Sequence, residues 1–343
     1  MTQDTPLAPP PPYAGLTPDC VLDALESLGL NPDGRLLALN SYENRVYQIW
    51  LDAPPGATPQ PPLVVAKFYR PGRWSDAAIL EEHGFTAELA EREIPVVPPL
   101  VIQGATLHHH GGFRFALFPR KGGRAPELET PQTLEWLGRF LGRIHAIGAL
   151  KPFLARPTLD LDSFGLASRD FLLAGNFLPP ELLISWTSTV NMALDGVRRC
   201  YDRAGDIPLL RLHGDCHLGN VLWVEGGEAP GPHFVDFDDS RMGPAIQDLW
   251  MLLSGDRGAM QYQLTEILAG YEDFAEFHPR ELFLVEALRT LRLLHYSAWL
   301  AKRWDDPAFP AAFPWFQTPR YWEERILELK EQIALMDEPP LAA

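Results

Sequence analysis

The eight residues His213-Gly214-Asp215-Cys216-His217-Leu218-Gly219-Asn220 constrain this chain more than any other feature. Two short apolar runs, Leu209 to Leu212 and Val221 to Val224, flank them and read as strands. The loop between must bring Asp215 and Asn220 to one site, and Gly219 eases that bend. Sixteen positions after Asn220, a third apolar run from His233 to Val235 delivers Asp236 into a turn. A carboxylate can accept the proton of an incoming hydroxyl, while an amide oxygen and a second carboxylate can hold a hard divalent cation. Asp215 suits the first role. Asn220 and Asp236 suit the second, with Asp236 as the natural bridge to β- and γ-phosphates. A lone His-x-Asp is usually just a hydrogen-bonded turn. The three residues at this spacing, between strands, point instead to ATP- and Mg²⁺-dependent phosphoryl transfer.

The chain has 343 residues, too many for one comfortable core, so two domains are expected. The texture changes near Pro119 to Ala125, where Gly122 and Gly123 make a candidate hinge. Before it, Thr17 to Leu30 reads as a helix capped by Thr17, with Pro18 at its first position. Arg35 to Leu39, Arg45 to Leu51, Leu63 to Tyr69, Val96 to Ile102 and Phe113 to Phe118 read as strands, with His108 to Gly112 as a turn. Ala53 to Pro62 reads as a Pro-rich connection, and Ser75 to Arg92 has helical periodicity. After the boundary most segments are helical, beginning with Thr130 to Ile147, which carries Leu134, Leu137, Leu141 and Ile144 on one face, and ending with Tyr321 to Met336. The expected class is α+β: a disordered leader over 1–16, a β-rich nucleotide-binding lobe over 17–120, and a mainly helical lobe over 121–340 for catalysis and the acceptor.

Lys67 ends an apolar strand, Val64-Val65-Ala66-Lys67, and is placed to hold α- and β-phosphates. Such a lysine needs an acidic partner. Glu81 and Glu82 lie in the following helix, and Glu82 is in register with Phe85 and Leu89. The turn Asn40-Ser41-Tyr42-Glu43-Asn44 lies between the first two strands. Its backbone N–H groups and the Ser41 hydroxyl can cradle phosphate, with an ordinary hairpin turn as the alternative.

The pattern His-Gly-Asp-x-His-x-Gly-Asn, followed by a strand ending in aspartate, resembles the signature of the aminoglycoside phosphotransferase and choline kinase-like branch of the kinase fold. The segments Leu39 to Gln48, Val65 to Pro71, Gln247 to Leu253 and Trp304 to Pro310 resemble a bacterial stress-response kinase group within it. Together they span roughly residues 17 to 340. The resemblance implies a two-lobed kinase-like fold, serine/threonine protein kinase activity used in stress, Ser41 at the nucleotide, and Glu82 as the helix glutamate paired with Lys67. Two departures stand out. The chain has no Gly-x-Gly-x-x-Gly run over the phosphates, and few residues separate Asp239 from Gly243-Pro244, which leaves no room for a long activation loop. Two other functions remain open at this point: a small-molecule kinase for an amino alcohol or aminosugar, and a nucleotide-binding module without transfer.

Composition narrows the partners. The net charge of -16 repels nucleic acid and anionic lipid and tolerates a cationic substrate. Three dispersed cysteines form no metal or disulfide spacing, and no run of about 20 apolar residues could span a membrane. A cytoplasmic monomer is expected. Other features take plain readings. Asp248 is expected to bond backbone around the catalytic loop, with His213 and His217 supporting it. Cys216 is expected as a packed thiol, with a redox role open. Asp238 and Asp239 read as a solvated turn, with a part in holding metal or substrate as the alternative, and His108-His109-His110 as a turn rather than a metal site. The aromatics Trp299, Trp304, Phe309, Phe313, Trp315 and Phe316 read as second-lobe core, with the wall of an acceptor site as the alternative.

Overall fold

The computed structural model describes residues 11–52, 62–226 and 230–342. The expected leader up to residue 10, and the Pro-rich connection over 53–61, lie outside the described residues. The chain forms two compact units, and neither is a continuous stretch. The first comprises Met1–Leu80, Pro99–Arg120 and Arg303–Phe313, and the second Glu81–Pro98, Lys121–Lys302 and Pro314–Ala343. The expected division into 17–120 and 121–340 is simpler than these units. Residues 81–98 join the second unit and residues 303–313 join the first.

The first unit is built on an antiparallel sheet of order β1-β2-β3-β5-β4. Its strands are β1 (Pro32–Leu39), β2 (Arg45–Leu51), β3 (Leu63–Phe68), β4 (His108–His110) and β5 (Phe113–Pro119). Helix α1 (Pro18–Glu26) starts where Thr17 accepts the Cys20 N–H, and it buries Val21, Ala24 and Leu25. These three pack with Ile49, Ala66, Phe68, Phe115 and Leu117 from the sheet. Part of the expected leader is ordered. Tyr13 stacks on Phe113 with ring centroids 6.3 Å apart, and its hydroxyl donates to the Glu43 carbonyl at 2.9 Å. The histidine run is a strand, not a turn. It pairs with Phe113 to Phe115, and Gly111-Gly112 makes the turn. Val96 to Ile102 forms no strand, only single bridges at Val96 and Ile102. Pro98 and Pro99 interrupt it and cannot donate to a ladder.

The second unit is mainly helical. Helix α2 (Asp76–Ala90) contributes its residues from Glu81 onward. Helix α3 (Pro131–Gly148) is capped by Thr130 and buries Leu134, Leu137, Leu141 and Ile144 as expected. Helices α4 (Ala167–Ala174), α5 (Leu183–Ala204), α6 (Ile246–Trp250), α7 (Arg257–Tyr271) and α8 (Val285–Ala301) follow. The short α9 (Ala308–Ala312) returns to the first unit, and α10 (Pro319–Asp337) closes the second. Helices α3 and α7 meet backbone to backbone: a Cβ on Gly138 would stand 1.9 Å from the Ile267 carbonyl oxygen. Two small ladders frame the polar loop. Strand β6 (Leu210–Leu212) pairs with β9 (Arg241–Gly243), and β7 (Val221–Val224) pairs with β8 (Gly231–Phe234). The aromatics expected in one core are divided, with Phe309 and Phe313 in the first unit and Trp299, Trp315 and Phe316 in the second.

Candidate active site

The loop from His213 to Asn220 leaves β6 and enters β7, so both its ends are fixed by ladders. Its first turn needs glycine. Gly214 has φ +86°, and a Cβ there would lie 2.2 Å from the Asp239 carbonyl oxygen. The loop is braced from below by Asp248 on α6. Its carboxylate accepts the N–H of His213 at 2.8 Å, the N–H of Gly214 at 2.9 Å and His145 Nε2 at 3.1 Å. An ionised carboxylate only accepts, so His145 donates through Nε2, and its Nδ1 takes the Tyr271 hydroxyl at 2.9 Å. Burial alone pushes the Asp248 carboxyl up, but the hydrogen bonds from His145 and from the Gly214 N–H outweigh it and hold the carboxyl below its ordinary range. His213 bonds the Val235 carbonyl at 2.9 Å, and His217 Nδ1 accepts the Gly219 N–H at 3.0 Å. Asp248, His213 and His217 thus play the supporting roles expected of them. Cys216 is fully buried, and desolvation raises its thiol well above the usual range, so it is packed rather than reactive.

The structure brings Asp215, Asn220 and Asp236 together. The Asn220 side chain donates Nδ2 to the Asp215 carbonyl at 2.9 Å, which orients its amide oxygen away from that bond. The Val235 N–H donates to the Asn220 carbonyl at 3.0 Å, and Val221 pairs with Phe234, so Asp236 emerges beside Asn220. Asp236 is exposed and sits in the left-handed region at φ +60° and ψ +65°, a conformation uncommon for aspartate and frequent at functional sites. An amide oxygen and a carboxylate form a hard oxygen donor pair, which fits Mg²⁺ or Ca²⁺. Among the described residues no group of three or more His, Cys, Asp or Glu could hold a metal alone. A magnesium ion held by two protein oxygens completes its shell with phosphate oxygens and water.

In the first unit, Lys67 is buried on β3, opposite Val46 and Ala116, with Nζ 5.2 Å from the Tyr69 ring centre. Ser41 lies half-buried in the β1–β2 connection. That connection is more than an ordinary hairpin turn. Arg70 donates Nε to the Glu43 carbonyl at 3.1 Å and Nη2 to the Tyr42 carbonyl at 3.4 Å, and its own N–H bonds Asn44 Oδ1 at 3.1 Å. In the second unit the two candidate glutamates separate in role. Glu81 accepts the backbone N–H groups of Leu154, Ala155 and Arg156 at 2.7, 2.9 and 3.0 Å. Glu82 is buried and pairs with Arg156 Nη2 at 2.8 Å.

Comparison with known proteins gives the family. A family model described as the phosphotransferase enzyme family matches residues 35–283. The chain belongs to that family. It is 43% identical over 329 residues to stress response kinase A of Escherichia coli O157:H7, covering 96% of each chain. It is equally similar, at 43% over 96% of each chain, to the serine/threonine protein kinase RdoA of Salmonella typhimurium. Among solved structures, the amicoumacin kinase hAmiN in complex with AMP-PNP, Ca²⁺ and Ami shares the fold, with a TM-score of 0.70 and 18% identity over 94% of both chains. The chain is thus a kinase of the phosphotransferase family, with the expected α+β, kinase-like fold.

Two residues of this phosphotransferase site are not apparent in its sequence. Arg156, fully buried, bonds Glu82 and also donates to the carbonyls of Asp238 and Ser240 at 2.8 Å each, tying α2 to the loop that follows Asp236. Asp238 is consequently buried, against the expectation of a solvated turn, and Asp239 pairs with Arg241 at 2.6 Å. Arg292 on α8 lies 2.7 Å from Asp215 Oδ1. No local motif marks either arginine. The only sequence signal was their charge inside otherwise apolar or helical stretches.

Proposed function

We propose that this kinase transfers the γ-phosphoryl group of ATP to serine and threonine hydroxyls of proteins, its own included, as part of a stress response. The observation that carries the reading is the pairing of the Asp215–Asn220–Asp236 constellation with 43% identity, along 96% of the chain, to relatives named stress response kinase A and serine/threonine protein kinase RdoA. Asp215 orients the acceptor hydroxyl and takes its proton as the bond to phosphorus forms. Asn220 and Asp236 would hold Mg²⁺, which when bound neutralises charge developing on the phosphates. Lys67 holds the α- and β-phosphates, and Ser41 with the amides of its turn meets the nucleotide. The proposal includes a monomer in the cytoplasm. Intact Lys67, Asp215, Asn220 and Asp236 favour transfer over mere nucleotide holding.

Incubation with labelled ATP and MgCl₂, followed by mass spectrometry, tests this. Dephosphorylated casein, kanamycin and choline serve as alternative acceptors. Phosphoserine or phosphothreonine that is missing from Asp215→Asn supports the reading. Fast turnover of choline or kanamycin without protein phosphorylation overturns it.

A further inference from the structure

Asp215 carries a charge contact that phosphoryl transfer does not require. Arg292 Nη1 stands 2.7 Å from its Oδ1. That oxygen is buried yet has no hydrogen-bond partner, so the contact is a charge pair off the hydrogen-bonding line. Among the described residues the other contact of the Arg292 side chain is the Met251 sulfur at 4.0 Å, and the side chain is 43% exposed. Its neighbour on the helix, Arg289, is engaged differently, with Glu286 at 3.3 Å and over the Trp250 ring at 5.4 Å. The base therefore presents a half-exposed guanidinium beside it, with most of its donor fork unspent. His217 Nε2 lies 3.5 Å from Oδ2 on the other side.

A guanidinium fork takes carboxylates and phosphates in a two-point bond and repels ammonium groups. At a separation of about 6 Å, one unit charge on the acceptor changes affinity by about 3-fold at bulk dielectric and about 100-fold at an effective dielectric near 20. The sign is opposite to that of the whole molecule, whose net charge of -16 would attract a polycation. At physiological ionic strength the Debye length is about 8 Å, so the global field is screened while the contact at Asp215 persists.

We propose that Arg292 reads an anionic group next to the phosphorylated hydroxyl, so that the acceptors are serines or threonines flanked by acidic residues rather than polycations. The inference rests on the reading of Asp215 as the acceptor-orienting carboxylate of a protein kinase. Arg292 is a specificity residue, turning its free donors to the acceptor carboxylate while Asp215 takes the hydroxyl.

The test uses the full chain at about 0.15 M salt, where surface charge is screened. Two serine peptides of equal length, one with glutamates and one with lysines around the acceptor, are compared with wild type, Arg292→Lys, Arg292→Gln and Arg292→Glu, all checked by thermal melting. We expect wild type to prefer the glutamate peptide by about 10-fold or more in kcat/KM, chiefly through KM. Arg292→Lys keeps that preference, Arg292→Gln brings the two peptides within about 2-fold, and Arg292→Glu reverses it. Equal use of both peptides by wild type overturns the proposal, even if no variant folds. So does a fall in kcat in Arg292→Gln that is the same for both peptides, which would mean that Arg292 only positions Asp215 or acts on the transferred group. If neither peptide nor casein is phosphorylated while choline or kanamycin is, the protein-kinase reading itself fails, and that outcome is distinct from the other two.

Discussion

Replacing Asp248 by asparagine changes one atom in a fully buried brace, and its cost can be worked from three distances. The carboxylate accepts His213 N–H and His145 Nε2 on Oδ2, and Gly214 N–H on Oδ1. Asparagine keeps one acceptor oxygen. In its better orientation that oxygen serves His213 and His145, and the new NH₂ faces the Gly214 N–H at about the 2.9 Å now occupied by a bond. One charge-assisted hydrogen bond is lost and one buried donor is orphaned, together about 2–4 kcal/mol, with the remaining two bonds weakened by loss of charge. Gly214 immediately precedes Asp215, so the same change loosens the residue proposed to orient the acceptor. We expect Asp248→Asn to lower the melting temperature by several degrees and to lower kcat much more than it raises the KM for ATP. Differential scanning calorimetry beside steady-state phosphorylation of casein measures both. A variant that melts within a degree of wild type and turns over at the wild-type rate would show that the backbone of the catalytic loop does not depend on Asp248.

Asp215→Asn is expected to abolish transfer, a loss of several kcal/mol of transition-state stabilisation, while nucleotide titration stays close to wild type; near-normal turnover would remove Asp215 from its role. Asn220→Ala and Asp236→Ala should each weaken Mg²⁺-dependent nucleotide binding, with Asp236→Ala the worse because a carboxylate offers the cation more charge than an amide; MgATP titration decides, and an Asp236→Ala variant that binds like the parent sinks the metal assignment. Burial pushes the Glu281 carboxyl up to about 7 from 4.5, even as it accepts the Ile246 N–H at 2.8 Å, so the folded state holds a proton that the unfolded chain releases. The roughly 3 kcal/mol linked to that proton is present below the unfolded pKa and is lost as pH rises through the folded one; melting curves for Glu281→Gln should therefore depend less on pH between about 5 and 8, and a profile parallel to wild type refutes the link. Asp306→Asn should cost about 2–4 kcal/mol in the first unit by weakening its 2.7 Å pair with buried Arg70, and should raise the Kd for MgATP through the Arg70-held turn; unchanged melting and nucleotide titration would separate that network from the turn.

The catalytic loop was legible because its chemistry depends on residues close in sequence. Asp215 and Asn220 share one loop, and Asp236 follows on the strand that pairs with β7. Asp248 was legible as a brace because it falls on the first turn of the next helix. The arginines were not. Arg156 meets Glu82 across 74 positions, and no pattern of one segment reveals a partner in another. The same limit hid the two excursions of the chain. Residues 81–98 join the second unit through contacts such as Arg211 with Glu88 at 2.9 Å and the stacking edge of Phe85 on Phe153 at 5.6 Å. The histidine run misled because composition suggested a turn, whereas pairing with Phe113 to Phe115 decides its state. Val96 to Ile102 misled in the opposite sense. Its β-branched residues suggested a strand, and the backbone chemistry of Pro98 and Pro99 overrode them.

The segments outside the catalytic loop that carry the family resemblance are distant in sequence, yet three of them meet in one ion network of the first unit. Glu43 comes from the β1–β2 connection, Arg70 from the end of the Lys67 strand, and Asp306 from the returning segment. Arg70 reaches Glu43 at 3.0 Å and Asp306 at 2.7 Å, while Arg303 reaches Glu43 at 2.6 Å and Arg45 reaches Asp306 at 3.4 Å. Arg303 is desolvated enough that its pKa falls despite the pull of Glu43. Buried ion networks of this kind are a poor source of net stability, but they fix geometry, because removing one member strands the others. Here the geometry fixed is that of the Asn40–Asn44 turn. A glycine-rich phosphate loop takes its shape from conformational freedom and from bare backbone. This turn has no glycine, so its shape must be imposed from outside, and Arg70 does so by holding the carbonyls of Tyr42 and Glu43 and the side chain of Asn44. The departure from the glycine pattern and the excursion of residues 303–313 into the first unit are therefore two sides of one solution, in which side chains do what glycines do elsewhere.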